Sequence, residues 1–140
     1  MVHVSMVERD SVNENLLGTK IVNACFQIHQ ELGPGLLESV YEVILADELK
    51  SLGLSIERQK PIPIRYKHLI FDEGFRADII VEGRVIIELK SVEAVSRVHS
   101  KQVLTYLRLL DFRLGYLVNF GSELIKDGIT RVVNGLPENE

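Results

Sequence analysis

Cysteine occurs once and tryptophan not at all in these 140 residues, and prolines number only 4. No apolar run approaches the roughly 18 residues that a membrane span needs. A lone Cys25 excludes an internal disulfide, and with it a disulfide-stapled scaffold. A composition of 46% hydrophobic and 26% charged residues with 10 glycines excludes a collagen-like or mainly disordered chain. No CxxC, HExxH, GxGxxG, Walker-type GxxxxGK or GxSxG sequence is present, so zinc, dinucleotide, P-loop and covalent-serine chemistry have no signature here. Glu8, Arg9 and Asp10 precede any apolar stretch, which does not read as a secretory signal. The expectation is one soluble, cytoplasmic domain over 13–135, with a loose segment at 1–12 and a tail at 136–140.

The net charge of −4 is unevenly laid out: residues 58–113 hold 11 basic and 7 acidic side chains, while residues 1–57 hold 3 and 9. A positive middle section suits a phosphate-bearing partner, because Lys and Arg contacts release counterions from a nucleic-acid backbone.

Hydrophobic spacing predicts a helix over 13–31, a turn at Leu32-Gly33-Pro34-Gly35 and a second helix over 36–51. The period then falls to two. An edge strand containing Pro61 and Pro63 is expected, then a short strand at 68–71, a turn at 72–74, and strands at 75–81 and 85–89. A third helix is expected over 95–110 and a buried strand over 114–120, with 125–133 open between strand and helix. The order α-α-β-β-β-β-α-β describes a mixed α/β fold, a central mixed sheet flanked by helices.

Several charged residues sit where apolar ones belong. In Val85-Ile86-Ile87-Glu88-Leu89-Lys90, alternation puts Glu88 and Lys90 on one face at the end of an otherwise interior strand. A charge there must be paired or bound to something. A structural Glu88–Lys90 ion pair is the plain reading. Asp78, on the preceding strand, supplies the other: two carboxylates and a lysine at neighbouring strand positions suit a divalent metal carrying phosphate oxygens and water. That requires a three-residue turn at 82–84, which sets Asp78 opposite Glu88, or an equivalent bulge near Asp78. On the second helix Glu38 lies at the edge of the apolar stripe, as a third metal ligand or as an acid favoured by the helix N-terminus. Glu42 reads as a solvent-face residue. On the third helix His99, Gln102 and Tyr106 share a stripe with Val98, Leu109 and Leu110, and Arg97, Lys101 and Arg108 gather opposite. His29, near the end of the first helix, is placed to face the same cleft as Glu38 or to interact with the helix C-terminus.

Asp78, then Glu88-Leu89-Lys90, then Gln102-x-x-x-Tyr106 resembles the signature of the PD-(D/E)XK nuclease superfamily. Gly33-Pro34-Gly35-Leu36-Leu37-Glu38-Ser39-Val40-Tyr41 is similar to the naming motif of its small GxxExxY branch. The ordered set GLLESVY, FRAD, VIIELK and QVLTYL spans nearly the whole chain, with Arg76-Ala77 ahead of the Asp in place of a proline. The resemblance implies a restriction-endonuclease-like core with its site at one end of the central strands. It implies Asp78, Glu88 and Glu38 as ligands of Mg²⁺, with Mn²⁺ as a substitute, and Lys90 as the residue serving the hydrolytic water or phosphate. Gln102 and Tyr106 would line the site; beside the resemblance, His99, as lining or as a satisfied helix-edge residue, and His29 are further lining candidates, and Arg76 and Lys101 are candidate phosphate contacts. The implied activity is metal-dependent phosphodiester hydrolysis, on DNA ahead of RNA, alone or with a homodimeric or protein partner and with no membrane. The alternative is a catalytically silent nucleic-acid- or protein-binding module on the same scaffold.

Overall fold

A computed structural model describes residues 13–137. Its elements run α1 (Glu14–Leu32), α2 (Glu38–Ser51), β1 (Ile56–Tyr66), β2 (Leu69–Val81), β3 (Val85–Lys90), α3 (Arg97–Leu110), β4 (Leu114–Asn119), α4 (Ile125–Gly128) and β5 (Ile129–Val133). The strands form one sheet in the order β1-β2-β3-β4-β5, antiparallel except for the parallel β3–β4 pair that α3 bridges. The mixed α/β architecture is as expected. Three strands, not four, precede the bridging helix, and 125–133 divides into a single helical turn and an edge strand. The segment expected to be loose at 1–12 lies outside the described residues. Leu136, assigned to the tail from sequence, is buried in the core.

Alternation on the interior strands splits the apolar residues between two cores. Ile79, Val81, Val85, Ile87, Leu89, Tyr116 and Val118 face α1 and α2, where Leu17, Ile21, Cys25, Tyr41, Leu45 and Leu49 meet them. Ile80, Ile86 and Leu117 face α3 through Val103 and Leu107. Burial pushes the Cys25 thiol up to about 12, which leaves it an inert core group. α1 starts at an Asn13 cap whose side chain accepts from the Leu16 N–H at 3.0 Å. Glu14, beside it, is buried against Arg84 and Arg113. Burial alone would raise its pKa, but the hydrogen bond from Arg113 and the two positive charges lower it overall.

Three local expectations are corrected. The turn expected at Asp72-Glu73-Gly74 is a bulge inside one continuous strand. Ile62 pairs with Phe75 and Ile64 with Phe71, so three residues of β2 stand opposite Pro63 alone. Pro63 offers no N–H to the ladder, and Gly74 is bare because a Cβ there would run into the Ile64 side chain. The real turn is at Lys67-His68, where Lys67 has φ 55°. The second correction is Glu42, which is 4% exposed and not on the solvent face. α2 begins two residues later than expected, and its buried stripe is Tyr41, Glu42, Leu45, Ala46 and Leu49, while Leu37 and Val40 are exposed. The third concerns α3, whose buried residues are Val103 and Leu107; Val98, Leu109 and Gln102 are exposed.

Candidate active site

β3 carries the site because it is interior along its length and polar only at its far end. Val81 pairs with Val85, leaving the three residues Glu82–Arg84 as the turn, with Glu82 and Gly83 both in the left-handed region. Continued by one residue past Ile79↔Ile87, that register sets Asp78 opposite Glu88. β2 is also distorted there. Ile79 and Val81 pack toward α1 and α2, but Ala77 packs toward α3, so the alternation slips at Asp78. Its neighbour on β1, Gln59, has φ 49°. Of the two routes foreseen for bringing the two acids together, the three-residue turn is the one in use; the β1–β2 register runs unchanged past Asp78.

The carboxylates meet. The Asp78 N–H donates to Glu88 Oε1 at 3.5 Å, and Asp78 Oδ2 accepts from the Leu89 N–H at 2.9 Å. Burial, the negative charge of Asp78 and a hydrogen bond with it push Glu88 up to about 9, only partly offset by Lys90. Glu88 is thus held as a neutral acid at pH 7 by its burial and by Asp78 beside it. Lys90 follows on the same strand face, forms no ion pair within 4 Å among the described residues, and acts through its charge on both Glu88 and Glu38.

Glu38 opens α2 across from this pair. Its pKa is raised by burial first, then by Asp78 and Glu42, against the pull of Lys90. The Gly-Pro-Gly turn before it is pinned by Tyr41. This phenol is fully buried, stacks on Phe120 at 4.4 Å, donates to the Gly33 carbonyl at 2.6 Å and accepts from the Leu36 N–H at 3.2 Å. Ser91, just past β3, donates to the Leu36 carbonyl at 2.6 Å. The turn, Ser91–Glu93 and Gly121 enclose a cleft of about 480 Å³ beside Glu38. Asn119 closes its far side: the side-chain oxygen accepts from the Val92 and Gly121 N–H groups, and the amide donates to the Val92 carbonyl. Tyr41→Phe keeps the ring stack and loses both hydrogen bonds. It should fold with a loss of about 1–2 kcal/mol, read by thermal melts.

The other expected residues divide. Tyr106 belongs to the site: it stacks on Phe75 at 3.9 Å, and burial, then the charges of Glu88 and Asp78, raise its phenol. Gln102 lies one turn before it on the same helix face and is exposed. His99 caps α3, with Nδ1 facing the Ser96 N–H at 3.2 Å. His29 is turned away from the carboxylates: its Nε2 lies 2.8 Å from the Ser122 carbonyl, and it lines a separate pocket with Phe26, Leu124 and Ile125. Arg76 is exposed and pairs with Glu73 at 2.6 Å. Lys101 is exposed on α3.

Gln59 and Glu42 went unpredicted in this role. Gln59 Nε2 donates to Glu42 Oε1 at 2.7 Å and to Asp78 Oδ1 at 3.3 Å, while Arg58 binds Glu42 through two nitrogens. This chain of bonds orients Asp78 from behind. Its one trace in the sequence is the polar run Arg58-Gln59-Lys60 in a strand that otherwise alternates.

A model of the PD-(D/E)XK nuclease superfamily matches residues 15–132. The chain belongs to that superfamily. Searches of curated proteins and of solved structures found no significant match to the chain. The PD-(D/E)XK match covers every element from α1 to β5 and includes Glu38, Asp78, Glu88 and Lys90. The donor set suits a hard divalent ion: two acids in contact at a strand end, offering only oxygen ligands. Among the described residues no three His, Cys, Asp or Glu side chains gather closely enough to hold an ion between them. Glu38 therefore stands outside the immediate pair. No helix among the described residues is long and apolar enough to cross a membrane.

Proposed function

We propose that this protein is a divalent-metal-dependent nuclease of the GxxExxY branch, hydrolysing phosphodiester bonds in DNA ahead of RNA. The observation that carries the reading is the meeting of Asp78 and Glu88 at the end of β3, with Lys90 next on the same face. Asp78 and Glu88 would hold Mg²⁺ or Mn²⁺, and Glu38 would face the ion's remaining waters, which Mg²⁺ keeps readily. A bound ion of this kind supplies Lewis acidity and a water of lowered pKa. The protein's own part is orientation and charge. Leu89 N–H and Gln59 fix the direction of Asp78. The Lys90 ammonium, next on that face, would offset the negative charge that grows on the phosphate as water attacks and the leaving oxygen departs. Tyr106, and Gln102 one turn away, border the path of the substrate. Arg76 and Lys101 remain phosphate contacts in this reading, Arg76 by exchanging Glu73 for a phosphate.

Calorimetric titration with Mn²⁺ tests this. Saturable binding by the wild type that Asp78→Ala and Glu88→Ala each abolish is expected, together with cleavage of plasmid DNA lost in the same variants. A folded wild type that takes up no Mn²⁺, even beside a noncleavable duplex, would overturn it.

A further inference from the structure

β3 ends at Lys90, and its pairing with β2 stops at Ile79↔Ile87. Beyond that point β1 and β2 pair only with each other, through Ile62↔Phe75, Ile64↔Phe71, Arg65↔Ile70 and Tyr66↔Leu69. The two strands thus leave the sheet as a free ribbon from the very end at which Asp78, Glu88 and Lys90 stand. Along β1, which carries no extra residues, the ribbon reaches about 23 Å from Gln59, beside Asp78, to Tyr66 at its tip, at ~3.3 Å per residue.

The tip has a defined chemistry. Residues 64–71 read Ile-Arg-Tyr-Lys-His-Leu-Ile-Phe, with two permanent cations, a histidine and no acid. Tyr66 is 62% exposed, Ile70 63% and Phe71 50%. Lys67 Nζ lies 5.3 Å from the Tyr66 ring centre. The nearest acids along the ribbon are Asp72 and Glu73, and Glu73 already holds Arg76. The pairing puts Ile64, Phe71, Tyr66 and Leu69 on one face, and Arg65 and Ile70 on the other.

We infer that the β1–β2 ribbon is a DNA-binding arm, seated in a groove of duplex DNA within about one helical turn of the phosphate held at Asp78 and Glu88. The inference rests on the nuclease reading. Every charged side chain of the tip is cationic, which complements a phosphate backbone. The B-form major groove admits a two-stranded ribbon, and the reach of the arm is about two thirds of the roughly 34 Å of one turn. The major groove of A-form RNA is too narrow for side chains to read, so the arm selects DNA duplexes. Arg65 and Lys67 contact phosphates, while Tyr66 and Phe71 lie against sugars and base edges.

The test is fluorescence anisotropy with the full chain and a labelled DNA duplex of about three helical turns, in Ca²⁺ and again in EDTA. Arg65→Glu combined with Lys67→Glu should weaken binding at least 10-fold at low salt. It should also flatten the slope of log affinity against log salt by about 2, near 0.9 for each phosphate contact. Both side chains are exposed, so the melting temperature serves as the folding control. Wild-type affinity and slope in this variant would overturn the arm while leaving the nuclease reading intact, provided Asp78→Ala still abolishes cleavage. An equal loss on an RNA duplex would overturn the groove assignment. A wild type that neither cuts nor binds DNA in either condition removes the nuclease reading and the arm together. A wild-type dimer that Tyr66→Ser with Phe71→Ser dissociates, with duplex affinity unchanged, would give the ribbon to a second copy of the chain and overturn the arm.

Discussion

Glu88→Gln should lower phosphodiester cleavage by roughly 10²–10³-fold while leaving the metal-free fold at least as stable at pH 8. The two halves of this result have one cause. Glu88 is held as a neutral acid by burial and by Asp78 beside it, and glutamine copies the shape and neutrality of that acid. The substitution therefore removes a charge the metal-free fold works to suppress. With a divalent ion present the balance reverses, because the ion needs the carboxylate that glutamine cannot supply. Cleavage rates on plasmid DNA, set beside thermal melts in EDTA, read both halves. Cleavage at the wild-type rate would take Glu88 out of the machinery. Marked destabilisation in EDTA would mean that the carboxylate is charged in the fold, contrary to the arrangement described.

The acid pair and the lysine were legible in the sequence for a physical reason: a charged residue closing an apolar interior strand conflicts with burial, and the conflict is local to six residues. The mixed fold and the bridging helix were legible because they rest on hydrophobic periods sustained over many residues. What stayed hidden depends on partners distant in the chain. Glu42 reads as solvent-facing on its own helix, and only Arg58 and Gln59, arriving from β1, make its burial tolerable. Asp72-Glu73-Gly74 carries turn chemistry and does interrupt the ladder, but as a bulge that Pro63 accommodates across the ribbon. On α3 the stripe was read about one position off, since Val98 and Leu109 are exposed while Val103 and Leu107 are buried. Tyr106 still reaches the acids because it packs on Phe75 at the margin of the smaller core. His29 was recognised as a polar residue near a helix end, yet its partner is the Ser122 carbonyl, far along the chain and invisible to local pattern.

The acid pair also makes the metal-free protein sensitive to base. In the unfolded chain Glu88 ionises near its ordinary 4.5, whereas in the fold it keeps its proton to about 9. A group whose folded pKa is raised contributes stability that is complete below the unfolded value and is lost as pH climbs toward the folded one. Glu38 shifts in the same direction, through burial and then the charge of Asp78. Glu14 shifts the opposite way, so its contribution is present above 4.5 and lost in acid. Melting temperature in EDTA should therefore fall steadily from about pH 5 to pH 9, and Glu88→Gln should flatten most of that slope. Uptake of Mn²⁺ must expel the proton on Glu88, so its affinity should rise over the same window, with proton release measurable in buffers of different ionisation enthalpy. A wild-type melting curve flat across that range would show that Glu88 is already ionised in the metal-free fold. The nuclease reading would survive that result, because an ionised pair needs to expel no proton to bind a divalent ion, but the neutral Glu88 would not.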